Sequence, residues 1–252
     1  MTNYSTLASN MKRRIIRFSE RIAKGLNRPV YKFVSQMITG MLSSQSCHLS
    51  KIARTLGEPI SLKKTIDRLS RNLSSFEKGA HLQENYMQQV KACLNDRSIL
   101  VVDDGDITKP CSTKLEGLCK VRDGSTGEIG VGYYMYEATA LTPGQGTPIS
   151  VYSRVFSTEE EGFVSADMEV LNLLRYLGRH FKKNIILAFD RGFDANVYYE
   201  HLLGQDERFV IRAKKNRDLI HKGERINILE VAKKYKGKYS LRFLCNRSGM
   251  VD

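Results

Sequence analysis

The sequence has few cysteines and no long apolar run, and both absences narrow the class of protein. Its five cysteines among 252 residues are widely spaced and include no CxxC pair, which argues against a disulfide framework and predicts reduced thiols. No apolar stretch approaches the roughly 20 residues that span a bilayer, and residues 1–14 lack the apolar segment of a secretory signal. We therefore expect a cytoplasmic protein that has no membrane partner.

Acidic residues are scarce in the first part of the chain. Residues 1–97 hold 17 Lys and Arg against 6 Asp and Glu, a balance of +11, whereas residues 98–252 hold 23 against 21, a balance of +2; together they give the net charge of +13. A strongly basic segment joined to a nearly neutral one predicts a nucleic-acid-binding region beside a second domain. The alternative is a cationic surface that only favours solubility.

The basic region has a helical pattern with a candidate DNA-binding motif at residues 48–73. Within it, Gly57 separates two short amphipathic segments, which predicts a helix-turn-helix-like unit. Lys64, Arg68 and Arg71 follow i, i+4, i+7 spacing on the second helix, so they are candidate DNA-binding residues. An ordinary helical hairpin with a solvated basic face is the alternative. The five predicted helices are Lys12–Lys24, Pro29–Leu42, Ser50–Leu56, Ser61–Leu73 and Phe76–Leu94.

From residue 98 the pattern changes to strands, in the order β-β-β-α-β-α-β. A meander followed by crossover connections predicts a mixed α/β sheet whose first and fourth strands are neighbours. The predicted strands are Ser98–Val102, Glu128–Leu141, Pro148–Phe156, Asn184–Phe189 and Phe209–Arg212, and the predicted helices are Ala166–Phe181 and Ala195–Leu203.

Two of these strands are apolar runs that stop at carboxylates. The first is followed by Asp103 and Asp104, and the fourth by Asp190. Acids at the carboxyl ends of neighbouring strands converge, and they repel one another unless a cation neutralises them. We therefore predict a metal site formed by these residues, with strand alternation allowing only one of the doublet to face it. The alternative is that each Asp only forms a turn with nearby backbone amides.

Two short motifs carry a family resemblance. VDDGDITKP at residues 102–110 resembles the first-aspartate motif of the DDE transposases of bacterial insertion sequences, and DRGFD at residues 190–194 resembles their second. The resemblance covers roughly Ser98 to Arg212. It implies an RNase H-like catalytic core over residues 98–215, preceded by an all-helical DNA-binding region over residues 1–97. The family's Asp-x-Ser/Thr spacing maps best onto Asp103. Because Gly105 replaces the hydroxyl residue, Asp104 remains an alternative for the first catalytic aspartate.

The resemblance also implies an activity and its partners. It implies metal-dependent cleavage and transfer of DNA strands at transposon ends, with Asp103 and Asp190 catalytic and two Mg²⁺ or Mn²⁺ ions in a complete site. Hard oxygen ligands suit these ions, and no His/Cys cluster suggests zinc. Arg191 is a candidate phosphate contact, or else a partner of Asp194. Double-stranded DNA is the implied partner, a homodimer is left open, and the implied location is the bacterial nucleoid.

One departure from the family pattern limits the expected activity. The family's third acid is a Glu in a Tyr-Arg-Glu-Lys type of pattern, and nothing after Asp190 matches it. Tyr239–Leu244 resembles the first strand of the β-rich insertion that precedes that glutamate, so residues 216–252 are expected to be an incomplete insertion. We expect a fragment with weak or no activity alone. The alternatives are a non-catalytic DNA-binding protein that inhibits a full-length transposase, or a nuclease whose third acid is Glu200 or Asp194.

Overall fold

The computed structural model describes residues 4–144, 146–181, 185–221 and 223–235. The chain divides into two compact units, Met1–Ala92 and Cys93–Asp252, whereas the sequence pattern placed the change after residue 97. The strand predicted at Tyr239–Leu244 lies outside the described residues. No described helix is both long enough and apolar enough to span a bilayer.

The first unit is built from five helices, and each of the five predicted helices is present. Helix α1 begins at Tyr4, earlier than predicted. Asn27 caps α2 by accepting a hydrogen bond from the Val30 amide, and Ser61 caps α4 through the Lys64 amide, as expected for short polar side chains at helix starts. The helices are α1 (Tyr4–Ile22), α2 (Arg28–Ser44), α3 (Leu49–Leu56), α4 (Leu62–Ser74) and α5 (Gly79–Cys93).

Helices α3 and α4 of this unit pack around two fully buried residues, Ile52 and Leu69. Helix α3 ends at Leu56 and is followed by Gly57, which adopts a left-handed conformation with φ of 57°. A residue without Cβ adopts that conformation at no steric cost. Helices α2 and α3 approach closely at Gly40, where an added Cβ would overlap Ile52 Cγ2. The crossing of these two helices therefore requires glycine at position 40.

Gly40→Ala is expected to reduce the free energy of unfolding by about 1–3 kcal/mol, because the added methyl group forces α2 and α3 apart. Urea denaturation of the full chain measures this loss. Gly79→Ala is the matched control, since a Cβ there meets nothing within 4 Å. An equal effect of the two substitutions would contradict the close-approach argument.

The second unit is an α/β structure whose main element is a six-stranded mixed sheet. Strand β1 is central, antiparallel to β3 and parallel to β5; β3 is in turn antiparallel to β4, and β6 is parallel to β5. The sixth strand, β2, is antiparallel to one end of β3. The order β4-β3-β1-β5-β6 of the other five is that of an RNase H-like sheet, which confirms the predicted fold class and the predicted neighbourhood of the first and fourth strands. The strands are β1 (Ile99–Thr108), β2 (Cys119–Arg122), β3 (Ile129–Leu141), β4 (Ile149–Phe156), β5 (Ile186–Phe189) and β6 (Arg208–Ile211).

Helices α6 (Ala166–His180) and α7 (Asn196–Gly204) cover one face of this sheet. On β1 that face carries Leu100 and Val102, which are buried. Tyr176 of α6 contacts the ring of Tyr152 on β4, and Tyr198 of α7 contacts the ring of Phe193. After β6 the chain forms a hairpin of β7 (Asp218–His221) and β8 (Glu224–Asn227), followed by α8 (Ile228–Tyr235).

Strand β1 is longer than predicted. The sequence Asp103-Asp104-Gly105-Asp106 suggests the end of a strand, yet β1 continues to Thr108 because residues 103–108 pair with Gly132–Glu137 of β3. Pairing with β5, by contrast, ends at Val102 opposite Phe189. From Asp103 onward, β1 is therefore paired with β3 but no longer with β5.

Candidate metal centre

Three carboxylates meet where β1 and β5 separate. Asp103 and Asp104 lie on β1 just beyond its last pair with β5, and Asp190 directly follows β5. One oxygen from each of the three lies within 4.8 Å of the others. Two oxygens on opposite sides of a Mg²⁺ ion are about 4.2 Å apart, so small side-chain rotations would allow one cation to contact all three. The arrangement can therefore hold a divalent cation.

Both members of the doublet reach this point, so the prediction that only one could face it is wrong. By the alternation of side chains along β1, Asp104 lies on the same face of the sheet as the buried residues Leu100 and Val102. Asp103 lies on the opposite face. Alternation separates their Cβ directions, but no strand among the described residues pairs with β1 on the β5 side beyond Val102. Because this edge is open, both carboxylates have room to turn towards Asp190.

The negative charges of the three carboxylates are not balanced by cationic side chains of the described residues. None of them forms an ion pair with another residue in the part of the chain that the structure describes. Partial burial, followed by the charges of Asp190 and Asp103, raises the pKa of Asp104. Burial and the nearby charge of Asp104 likewise raise the pKa of Tyr136 to about 12. The site is thus a region of negative potential that favours a cation.

Because the pKa of Asp104 is raised in the folded protein, ionisation of this carboxyl group lowers the free energy of unfolding. Asp104 binds its proton more tightly when folded, so its unfavourable contribution is absent well below its ordinary pKa of 3.8 and appears as pH rises through the folded value. Asp104→Asn is therefore expected to increase the free energy of unfolding at pH 7 by about 0.5 kcal/mol, because solvent screens much of the repulsion. At about pH 3, below that ordinary value, the gain should vanish.

Urea denaturation in EDTA, at both pH values, measures this difference. Asp206→Asn is a matched control, because Asp206 is exposed and lies away from the carboxylate group. Excess Mn²⁺ should reverse the order of stability, since only the wild type keeps all three ligands. A loss of stability for Asp104→Asn at pH 7 in EDTA would contradict the assignment.

The turn after β5 holds Asp190 in place. Asp190 caps the short 3₁₀ turn Arg191–Phe193, and its Oδ1 accepts a hydrogen bond of 2.6 Å from the Gly192 amide. Phe193 is buried, and its ring contacts Tyr136, Phe189 and Tyr198. A buried aromatic side chain thus anchors the turn that carries the carboxylate.

Gly192→Ala is expected to weaken divalent-metal binding about 10- to 100-fold, the usual cost of disturbing a group that orients a ligand. A Cβ at position 192 would lie 2.9 Å from Asp190 Oδ1 and 3.6 Å from Asp104 Oδ1, so Asp190 must rotate away from the amide. Isothermal titration with Mn²⁺ measures the change. Gly130→Ala, where a Cβ meets nothing within 4 Å, should bind as the wild type does.

A second anchor of this turn is a buried ion pair that the sequence did not reveal. The Asp194 carboxylate is fully buried, pairs with Arg217 and accepts a hydrogen bond from the Lys214 amide. Arg217 also donates to Asn196 Oδ1 at 2.9 Å and lies over the Tyr199 ring. The spacing of Asp194 and Arg217 along the chain has no motif that could have identified the pair.

The remaining predicted residues of this unit are placed as follows. Arg191 is exposed on the turn next to Asp190, and Asp194, its alternative partner, is instead paired with Arg217. Glu200 is exposed on α7. Neither Glu200 nor Asp194 belongs to the carboxylate group, whose three members come from the doublet and Asp190. The third carboxylate of this group is therefore the second member of the doublet.

In the first unit, the three predicted DNA-binding residues of α4 have different surroundings. Lys64 and Arg71 are exposed. Arg68 instead forms a 2.6 Å ion pair with Glu58 in the turn and donates to Gln36 of α2. Burial opposes ionisation of Glu58, but the hydrogen bond and charge of Arg68 outweigh it and lower the pKa of Glu58. Arg68 thus links α2, the turn and α4.

No protein-family model matches the chain, and no curated protein matches it. Among solved structures, the chain is similar to one titled "Crystal structure of the Mos1 Strand Transfer Complex", with 13% sequence identity and a TM-score of 0.27. The match covers 71% of this chain and 57% of that one. Because the TM-score is low, the RNase H-like assignment of the fold rests on the strand order alone.

Proposed function

We propose that this protein is a DNA strand transferase of the DDE transposase type, acting with Mg²⁺ or Mn²⁺. The observation that carries the proposal is the meeting of Asp103, Asp104 and Asp190 at the point where the two central strands of an RNase H-like sheet separate. The two sequence motifs that resemble the DDE family contain these three residues. An insertion-sequence origin and a transposon-end substrate are parts of this proposal.

The chain's own residues have separate roles in the proposed reaction. Divalent ions held by carboxylates would activate the attacking water or 3′-hydroxyl and stabilise the leaving oxygen. Asp103, Asp104 and Asp190 supply the anionic oxygens that such ions need, and the Gly192 amide fixes the orientation of Asp190. Arg191, which is exposed beside Asp190, is in position to contact a phosphate of the DNA strand.

The basic helical unit supplies the DNA-binding surface in this proposal. Lys64 and Arg71 lie seven residues apart on α4, which places both on one side of the helix, and both are exposed. We assign them to phosphate contacts. Arg68, between them, holds α4 against α2 and the turn through Glu58 and Gln36, and it acts on DNA binding by orienting the other two.

The test is a strand-cleavage assay on a labelled duplex with Mn²⁺, Mg²⁺ or EDTA, using the full chain. We expect weak cleavage that requires a divalent ion and is abolished by Asp190→Asn. Cleavage that survives this substitution, or that persists in EDTA, would overturn the proposal. Asp206→Asn should cleave as the wild type does, because this substitution changes the same charge at an exposed site outside the carboxylate group.

A non-catalytic DNA-binding role is the second candidate, and the excess of basic over acidic side chains in residues 1–97 favours it. It predicts duplex binding that is equally strong in Mn²⁺ and EDTA, with no cleavage at any enzyme concentration. It also predicts that Asp103→Asn and Asp190→Asn bind DNA as the wild type does. Calorimetric Mn²⁺ binding that requires Asp190 supports the first candidate even where cleavage is slow.

A further inference from the structure

Helix α1 carries a row of arginines that the sequence motifs did not identify. Arg13, Arg17 and Arg21 follow one another at intervals of four residues, and Arg14 lies beside the row; all four are exposed. Intervals of four residues keep side chains on one side of a helix. The row is therefore a continuous basic stripe along α1.

The opposite side of this helix is buried in the first unit. Ser19 is fully buried and Ile22 belongs to the apolar core. The Phe18 ring packs edge-on against Tyr86 of α5, and the Ile22 carbonyl accepts a hydrogen bond from Asn85. These contacts fix the rotation of α1, so that the arginine row points away from the core.

The charges of the row are not neutralised by acidic side chains of the described part of the chain. Like charges four residues apart on a helix repel one another, and Glu20 is the single acid in α1. Arg13 donates a hydrogen bond to the neutral side chain of Asn10, and Arg13, Arg17 and Arg21 form no ion pair within the residues that the structure describes. An external polyanion would convert this repulsion into attraction.

The spacing of the row suits a nucleic-acid backbone. Four helical residues advance about 6 Å, so the three arginines span about 12 Å. A DNA duplex carries one negative charge per about 1.7 Å of its axis, and arginine binds phosphate oxygens with two parallel hydrogen bonds. The row can therefore contact several phosphates of one duplex at the same time.

A membrane surface is the competing partner for a basic amphipathic helix. Leu7 and Met11, near the start of α1, are 49% and 56% exposed. In the arginine-bearing part of the helix, however, Phe18 and Ile22 pack into the core, and the apolar side chains Ile15, Met41 and Leu42 line a hollow between α1 and α2 rather than an outward stripe beside the arginine row. Duplex DNA thus fits the observations better than lipid does.

We propose that the arginine row of α1, Arg13, Arg17 and Arg21, binds the phosphate backbone of duplex DNA without regard to sequence. It adds a second DNA contact to that assigned to α4. The inference shares the duplex partner with the proposed function but does not depend on metal binding or on strand cleavage.

The test is the salt dependence of duplex binding by the full chain, measured by fluorescence anisotropy in EDTA. Each phosphate contact contributes about 0.9 to the slope of log K against log salt, so Arg13→Gln/Arg17→Gln/Arg21→Gln should reduce the slope by about 2.7. The loss should be equal for unrelated duplex sequences. If the triple variant does not fold, as judged by circular dichroism, Arg17→Gln alone should lower the slope by about 0.9.

Two control variants show whether the loss of slope comes from the positive charge at these positions of α1 or from any equal loss of charge in the chain. The corresponding triple Arg→Lys variant should keep the wild-type slope, because it keeps the charge. A second control removes the same charge from exposed positions of the second unit and should also keep the wild-type slope; it is Lys120→Gln/Arg175→Gln/Arg179→Gln. An equal loss of slope in this control, or no loss in the α1 variant, would overturn the inference.

Two further measurements complete the test. Phosphatidylserine vesicles provide the lipid comparison, and a variant that loses vesicle binding while keeping the duplex slope would also overturn the inference. Asp190→Asn should retain the wild-type slope in EDTA. Failure of the proposed strand cleavage would therefore leave the result on α1 unaffected, and the reverse also holds.

Discussion

Asp190→Asn is expected to weaken Mn²⁺ binding at least about 100-fold, more than the loss of a group that only orients a ligand. Asparagine keeps the size of the side chain and its ability to accept a hydrogen bond from the Gly192 amide, so the turn should survive. What is lost is one of three anionic oxygens around a shared point. Titration calorimetry, or the electron paramagnetic resonance signal of free Mn²⁺, measures the affinity.

The control for this change is Asp206→Asn, which lies in the same unit on an exposed, left-handed residue with φ of 54°. Asparagine tolerates that conformation, so the control should fold and bind Mn²⁺ normally. Asp103→Asn and Asp104→Asn should each weaken binding as well. If Asp190→Asn binds Mn²⁺ with wild-type affinity, the carboxylate group is not a metal site and the proposed chemistry fails.

Arg217→Met is expected to lower the free energy of unfolding by about 3 kcal/mol, the usual cost of leaving one buried charge without its partner. The Asp194 side chain has no exposed surface, and that of Arg217 is 17% exposed. Without Arg217, the buried carboxylate retains the Lys214 amide as its described partner. Urea denaturation at pH 7 measures the loss.

An exposed ion pair in the same unit serves as the control, because breaking it should cost less free energy of unfolding. Arg225 pairs with Asp218 at 2.7 Å, but its side chain is 80% exposed, so Arg225→Met should cost at most about 1 kcal/mol. The double variant Asp194→Leu/Arg217→Met should recover part of the loss, because neither charge is then buried alone. Equal losses for Arg217→Met and Arg225→Met would contradict this account.

The sequence predicted the main elements of the fold because their patterns are strong. The apolar runs before Asp103 and Asp190 identified the two central strands and their neighbourhood, and the amphipathic spacing identified all five helices of the first unit. The length of β1 was not predictable in the same way. Local preferences at Asp104-Gly105-Asp106 favour a turn, but pairing with β3 decides the conformation there, and such tertiary pairing overrides local propensity.

The candidate site was predictable in its residues but not in its detail. Alternation along a strand describes Cβ directions, and it could not show that both Asp103 and Asp104 reach the open edge beside Asp190. The same limit applies to Arg68, whose i, i+4, i+7 spacing suggests a surface contact, whereas Glu58 and Gln36 bind it. A pattern gives the face on which a side chain lies, but not its partner across the fold.

The pairing of Val102 with Phe189 also has a consequence for how the chain acquires its acidic centre. These strands are about 90 residues apart in sequence, and contacts of such separation form slowly because the intervening loop must close first. During synthesis, Asp103 and Asp104 emerge well before Asp190, so a nascent chain carries only part of its cation-binding capacity. The centre becomes complete only once β5 has docked beside β1.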